Sequence, residues 1–439
     1  MTEGAGAREA TSFGAELRRR RIAAGLSLAA LAQRVHYSKG HLGKIETGDK
    51  PAGADLARYC DAALDAGGQL AALVTRDPAG ARPADRAAEH DAEVWVMSMD
   101  PDGSSRLVPM RRRDLLTLGA GSLLGLSLGA QGMPAAAQQE ATVPAFRSLF
   151  EQTRRLGQIT SPSVVLPTVI AQTHTLRGLA ASASAPTRAE LLKLGARYAE
   201  YAGWMTQEAG DDRGALWWTR SAVEMASAAG DTELTTYALI RQALVTLYRE
   251  DAAGTIELAR QAQADPRTPA RIRGLAASRE AQGHALACDY DECRRALDRA
   301  TELLNDTGQD APGGPVIGPA TMPGAGLTAA VEGWCLHDLG RPREAGEALD
   351  RQLARVPGTA QRVHARFGAR RALAYAAAGE VDHACTLTGQ VLDGAEVVDS
   401  ATIRVDLRRL ARTLSRWHGH RPVRELYPRL TAALRTPLG

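Results

Sequence analysis

Leu26-Ser-Leu-Ala-Ala-Leu-Ala-Gln-Arg-Val-His-Tyr-Ser-Lys-Gly-His-Leu-Gly-Lys-Ile-Glu-Thr-Gly-Asp-Lys50 reads as two short helices joined by a tight turn. Ser27 stands where a helix N-cap belongs, because its hydroxyl can accept from the unpaired N–H groups of a first turn. Leu28, Leu31, Ala32 and Val35 then repeat at helical spacing. Ser38 caps the second helix, Leu42 and Ile45 face inward, and Gly48 closes it. That second helix is basic. Only four lysines occur among the 53 basic residues of the chain, and Lys39, Lys44 and Lys50 are three of them.

Outward from this pair, Phe13 to Arg21 begins a preceding helix, with Leu17 and Ile22 expected inward and arginines at positions 18–21. Ala54 to Leu64 and Gly68 to Val74 complete a bundle of five helices over residues 13–76, after a disordered stretch at 1–12. The net charge of +3 over 439 residues predicts no particular partner. Its distribution does: Arg8 to Lys50 carries nine basic residues against four acidic ones, and the rest of the chain is slightly acidic.

Residues 13–74 resemble the Cro/C1-type (XRE) family of helix-turn-helix domains, the lambda-repressor-like fold. The likeness rests on Arg21, the Ser27-Leu-Ala-Ala-Leu-Ala32 run, Ser38, Leu42, Ile45, Glu46 and Gly48. It implies that Ser38 to Glu46 is the recognition helix in the major groove. Lys39, Gly40 and Lys44 take base-facing positions, with Gly43 beside them. A lysine at such a position donates to guanine O6 and N7. Ser38, Thr47 and Lys50 fall near phosphates, which position without specifying. Arg21 and Glu46 match a scaffold ion pair of the family. Two departures thin the readout. Leu28 replaces a glutamine frequent at the start of the second helix, and Gly40 and Gly43 bring no side chains.

The middle segment, 77–142, reads as a linker. Residues 93–109 place two apolar runs either side of Asp100-Pro-Asp-Gly103, the pattern of a short β-hairpin. Arg111-Arg-Arg113 then precedes an apolar, glycine-containing run over 115–130. This stretch is similar to a twin-arginine export signal, yet it is internal. Its 16 residues make about 24 Å of helix, short of the roughly 30 Å hydrocarbon core. A buried helix, a linker and a membrane tether at 111–130 all remain open readings.

From Val143 to the end the chain is helical and repetitive. A glycine-acid or similar break recurs between helices, as at Gly210-Asp211, Cys288-Asp289, Gly340-Arg341 and Gly379-Glu380. A small residue follows each break by about five positions, as at Ala215 and Cys293. The pattern is similar to tetratricopeptide (TPR) repeats, about six hairpins between Glu190 and Leu434, interrupted by a glycine- and proline-rich loop at 308–326. Such a solenoid presents a concave surface. Candidates to line it are Tyr198, Trp204, Tyr237, Arg241, Tyr248, His284, Trp334 and His337.

The expected fold class is therefore all-α: a five-helix DNA-binding domain, a short β-hairpin and linker, and a C-terminal TPR-like α-solenoid over 143–439. Five scattered cysteines without a CxxC pair fit free thiols in a reducing compartment. His418-Gly-His420 lacks further ligands for a metal, and no P-loop, metal-binding helix motif or other enzyme signature is present. No cofactor is expected. The composite points to a cytoplasmic, homodimeric transcriptional regulator. Its partners would be double-stranded DNA and a peptide, small-molecule or protein effector. The arginine-over-lysine bias fits an actinobacterial, GC-rich source. The alternative is a TPR scaffold that uses the helix-turn-helix for protein contacts, tethered or not through 111–130.

Overall fold

The computed structural model describes residues 12–75, 93–99, 105–111, 136–305 and 324–435. The N-terminal unit holds α1 (Phe13–Ala23), α2 (Leu28–Arg34), α3 (Lys39–Glu46), α4 (Ala54–Ala63) and α5 (Gln69–Thr75). Three serines start the first three helices. Ser12 accepts from the Ala15 N–H at 3.3 Å, Ser27 from Ala30 at 3.0 Å and Ser38 from His41 at 3.2 Å. Leu17, Leu31, Leu42, Ile45, Leu56 and Leu70 fill the core. Gly14 lets α1 touch α3, since a Cβ there would stand 2.1 Å from the Ile45 carbonyl oxygen. Ile22 is a correction to the expected core: it is 59% exposed. The buried positions of α1 are Gly14 and Leu17; one further turn brings Arg21 to that side, and Ile22, five residues after Leu17, is rotated away from it.

The strands β1 (Glu93–Met99) and β2 (Ser105–Arg111) pair antiparallel, with Val96 opposite Val108. The apolar run at 115–130 lies outside the described residues. No helix among the described residues is long and apolar enough to cross a membrane.

The remainder is a helical array. The helices α6 (Ala136–Leu156) and α7 (Pro162–Ser182) precede six hairpins. In chain order these are α8 (Ala185–Glu208) with α9 (Asp212–Ala228), α10 (Thr232–Tyr248) with α11 (Ala252–Gln263), and α12 (Ala270–Leu286) with α13 (Tyr290–Asn305). Then come α14 (Gly324–Asp338) with α15 (Pro342–Leu353), α16 (Gln361–Ala377) with α17 (Val381–Val398), and α18 (Ala401–Leu414) with α19 (Arg421–Leu434). The expected loop at 308–326 ends early, because Gly324 to Gly326 already belongs to α14; residues 306–323 lie outside the described residues.

Four of the breaks do two jobs, while Arg341 and Glu380, after the left-handed Gly340 and Gly379, make no side-chain cap. The residue before the acid adopts a left-handed conformation and ends one helix: Gly210, Gly230, Glu250 and Cys288 all have positive φ. The aspartate after it starts the next. Asp211, Asp231, Asp251 and Asp289 each accept from the N–H three residues on, at 2.8, 3.0, 2.9 and 3.0 Å. Small residues then let the paired helices approach. A Cβ on Gly203 would sit 3.2 Å from Trp218 Cβ, and one on Gly333 would sit 2.6 Å from Leu349 Cγ.

The array also closes on itself. Arg362 of α16 donates to Gly157 O at 2.8 Å, to Thr160 O at 2.6 Å and to Glu208 Oε2 at 2.9 Å. Glu208, at the end of α8, further accepts from Ser400 at 2.6 Å and Thr402 at 2.9 Å. These bonds tie the first repeats to the last two. What an open solenoid would present as a groove is here a cavity.

Candidate nucleic-acid interface and repeat-domain cavity

The recognition helix is held from behind. Arg21 of α1 makes a two-pronged pair with Glu46 of α3, Nε to Oε1 at 2.6 Å and the outer nitrogen to Oε2 at 2.8 Å. Its third nitrogen donates to Leu26 O at 2.9 Å, so one side chain sets both the turn and the helix. Glu46 in turn raises the pKa of Arg21, chiefly through these hydrogen bonds. In front, Ser38, Lys39, Gly40, Lys44, Thr47 and Lys50 are exposed along one face, and Gly43 is half-buried. Leu28 fills the space beside Gly43: a Cβ at that glycine would lie 3.5 Å from Leu28 Cδ2. The departure at Leu28 is thereby a packing residue. The Thr47 hydroxyl lies 2.6 Å from Asp49 Oδ2, so a ligand would compete with that carboxylate for it.

The opposite side of the bundle sits on the turns of the repeat array. Ala377 of α16 belongs to the bundle's own apolar core. Gly340, at the turn before α15, lies so close that a Cβ would stand 2.7 Å from Arg58 O. A Cβ on Gly379 would meet the His36 ring at 2.6 Å. Tyr59 meets His337 edge-on at 6.4 Å, and the Arg416 guanidinium stacks 3.8 Å from the centre of the Tyr37 ring while donating to its hydroxyl. His36 and Tyr37 form the turn that delivers Ser38, the cap of α3. The turn that aims the recognition helix is thus in direct contact with the far end of the array.

Within the array lies a cavity of about 330 Å³ between α6, α8, α10, α12, α14 and α16. Seven arginines line it against two glutamates, an imbalance that sets its chemistry. Four of the seven have carboxylate partners. Arg154 pairs with Glu151 at 3.5 Å, Arg197 with Asp231 at 3.0 Å, Arg241 with Glu200 at 3.3 Å and Arg362 with Glu208 at 2.9 Å. Arg155 is exposed. Arg279 and Arg366 pair with no carboxylate among the described residues. Arg279 donates to the Gln282 side chain. Arg366 donates to the Tyr248 hydroxyl at 2.8 Å and faces the Trp334 ring at 5.6 Å. Burial, then the positive charges of Arg366 and Arg241, pull the Arg279 pKa down to about 10.

Of the eight residues expected to line a concave surface, the fold gathers Trp204, Tyr237, Arg241 and Trp334 at this cavity. The other four are corrections. Tyr198 is wholly buried, its hydroxyl donating to Phe146 O at 2.8 Å. Tyr248 stands behind Arg366. His284 sits 3.8 Å from both Glu280 and Asp289 near the α12–α13 turn. His337 faces Tyr59 of the N-terminal bundle. Each lies on the first helix of its hairpin as expected, but one helical turn or a rotation about the axis points it elsewhere. Arg279, Arg362 and Arg366 were not singled out by sequence reasoning, since arginine is common throughout the chain. All five cysteines are free and buried.

Fold and site together define a helix-turn-helix head carried on a TPR-like array. Residues 12–74 match the family described as a helix-turn-helix domain. No curated protein matches the chain. Among solved structures, the chain is similar to a Rap protein complexed with competence and sporulation factor, at 12% identity and a TM-score of 0.42 over 68% of this chain and 98% of that one. It is also similar to the apo form of the quorum sensor NprR from B. thuringiensis, at 12% identity and a TM-score of 0.35 over 68% and 87% of the two chains.

Proposed function

We propose that this protein is a sequence-specific DNA-binding transcriptional regulator whose repeat domain senses an effector. The observation that carries the reading is the geometry of α3. A capped, ion-paired helix turns Lys39 and Lys44 outward, with Lys50 exposed just beyond its end, while the other side of its domain is docked. On this reading α3 enters the major groove, Lys39 and Lys44 donate to guanine edges, and Ser38, Thr47 and Lys50 contact phosphates. Gly40 and Gly43 contribute no side-chain readout, so sequence-dependent DNA shape carries part of the specificity. The effector, a peptide, small molecule or protein, occupies the cavity of the array. Its binding alters the turns that hold His36 and Tyr37, and so the aim or mobility of α3. A homodimer in the cytoplasm would present two such heads to half-sites one helical turn apart.

Gel shifts of the full chain on a pool of genomic fragments test this. The expected result is binding that weakens linearly with salt on a log–log scale and selects a subset of fragments. Absence of salt-sensitive binding would leave the head as a protein-contact module and sink the regulator reading.

A further inference from the structure

The cavity is lined by two half-buried arginines, Arg279 of α12 and Arg366 of α16, with no carboxylate within ion-pair distance among the described residues. The Nε–H groups of both are buried without a hydrogen-bond acceptor among the described residues, whereas Arg241 beside them has the Glu200 carboxylate at 3.3 Å. Each also keeps one terminal nitrogen, at the cavity wall, without a hydrogen bond to the described residues. Two like charges lining one poorly solvated space repel, as the lowered pKa of Arg279 reflects, and unsatisfied buried donors are unfavourable. A fold keeps such an arrangement when something supplies the missing charge and acceptors. Beside the paired arginines and the two glutamates, Trp204, Tyr237, Trp334 and Phe367 give the wall its apolar rings. The volume, about 330 Å³, stands at the small end of the range for organic ligands.

We infer that the cavity takes a small organic anion, its carboxylate or phosphate held between Arg279 and Arg366 and its apolar body against Trp204, Tyr237 and Trp334. A planar guanidinium can meet such a group with two parallel N–H donors, which suits carboxylate and phosphate oxygens alike. Free metabolites and the acidic terminus of a short peptide share this chemistry. The inference rests on the sensor reading of the array and deepens it by stating the ligand class.

The test uses the purified full chain at constant ionic strength, with thermal unfolding and calorimetric titration as readouts. The probes are phenyl phosphate and benzoate, with benzamide as the neutral counterpart, inorganic phosphate as the anion without a body, and a short peptide ending in phenylalanine with a free or an amidated carboxyl terminus. Phenyl phosphate or benzoate should raise the melting temperature saturably, and benzamide should not. A response to the free but not the amidated peptide would place the source among peptides; a response to the small anions alone would place it among metabolites. Arg279→Gln and Arg366→Gln should each weaken anion binding about tenfold or more. Without ligand Arg279→Gln should melt at or above the parent temperature, because burial and the Arg366 charge both disfavour its cation; Arg366→Gln also removes the donor to Tyr248 and is scored on anion binding alone. A structural arginine at position 279 would do the reverse. Equal shifts in parent and variants, equal shifts with inorganic phosphate alone, or loss of folded protein in both variants would each overturn the inference. DNA binding is scored separately. Anion binding without DNA binding sinks the regulator reading and keeps this site, and the opposite pattern does the reverse.

Discussion

At the residue scale, two glycines of the N-terminal domain make opposite predictions. Gly40 lies in the first turn of α3 with nothing within 4 Å of where a Cβ would point. Gly40→Ala should therefore stabilise the domain by about 0.5–1 kcal/mol, read from chemical denaturation. Gly14→Ala places a methyl against the Ile45 carbonyl and should destabilise by about 1–3 kcal/mol or more in the same measurement. Equal responses at the two sites would contradict the α1–α3 contact described above. His337 adds a pH effect. Burial first, with Arg370 and Arg58 assisting and Asp338 and Asp55 opposing, holds its pKa at about 4 against an ordinary 6.5. The folded state thus resists a proton that the unfolded state accepts. Stability present above pH 6.5 is lost as pH falls towards 4. His337→Asn should flatten that part of the stability–pH curve, and an unchanged slope would refute the assignment. Lysine and arginine also show what sequence reading can see. Lysine is so rare that three in or just after one helix stood out. Arginine is so common that Arg279 and Arg366, 87 positions apart, carried no signal until the fold brought them together.

At the element scale, helix boundaries were legible because they are local chemistry. Ser27 and Ser38 cap α2 and α3 as their positions require, and four of the break residues with positive φ precede capping aspartates. Asp251 has only this role: it is exposed and accepts from the Gly254 N–H at 2.9 Å. Asp251→Ala should destabilise by about 1 kcal/mol. Asp231 caps α10 and also pairs with buried Arg197 at 3.0 Å, so Asp231→Ala should exceed the Asp251→Ala effect. Equal losses by calorimetry would mean the Arg197 pair contributes nothing. Which face of a first helix meets the cavity was not legible. Tyr198 and Trp204 lie on the same helix, and only the packing of α6 decides that one is core and the other wall.

At the scale of the whole molecule, closure of the array and docking of the head were both invisible in sequence. They depend on contacts such as Arg362 with Glu208 and Arg416 with Tyr37, 154 and 379 positions apart. Arg362 lines the cavity and stands on α16, whose far end, at Ala377, joins the apolar core of the head. Arg416→Ala removes the stacked guanidinium from Tyr37 and should loosen the turn. Hydrogen exchange should then quicken at His36–Leu42 and stay unchanged in α8. No change at the turn would mean the array does not brace it. The central claim is that the outward face of α3 reads DNA. It is tested most directly by measuring full-chain binding to selected genomic fragments, and to random DNA, for the parent and a Lys39→Ala/Lys44→Ala double variant. The account predicts that the variant keeps its fold and loses the preference for the selected fragments, each base contact being worth about 1–3 kcal/mol. An unchanged preference would contradict it.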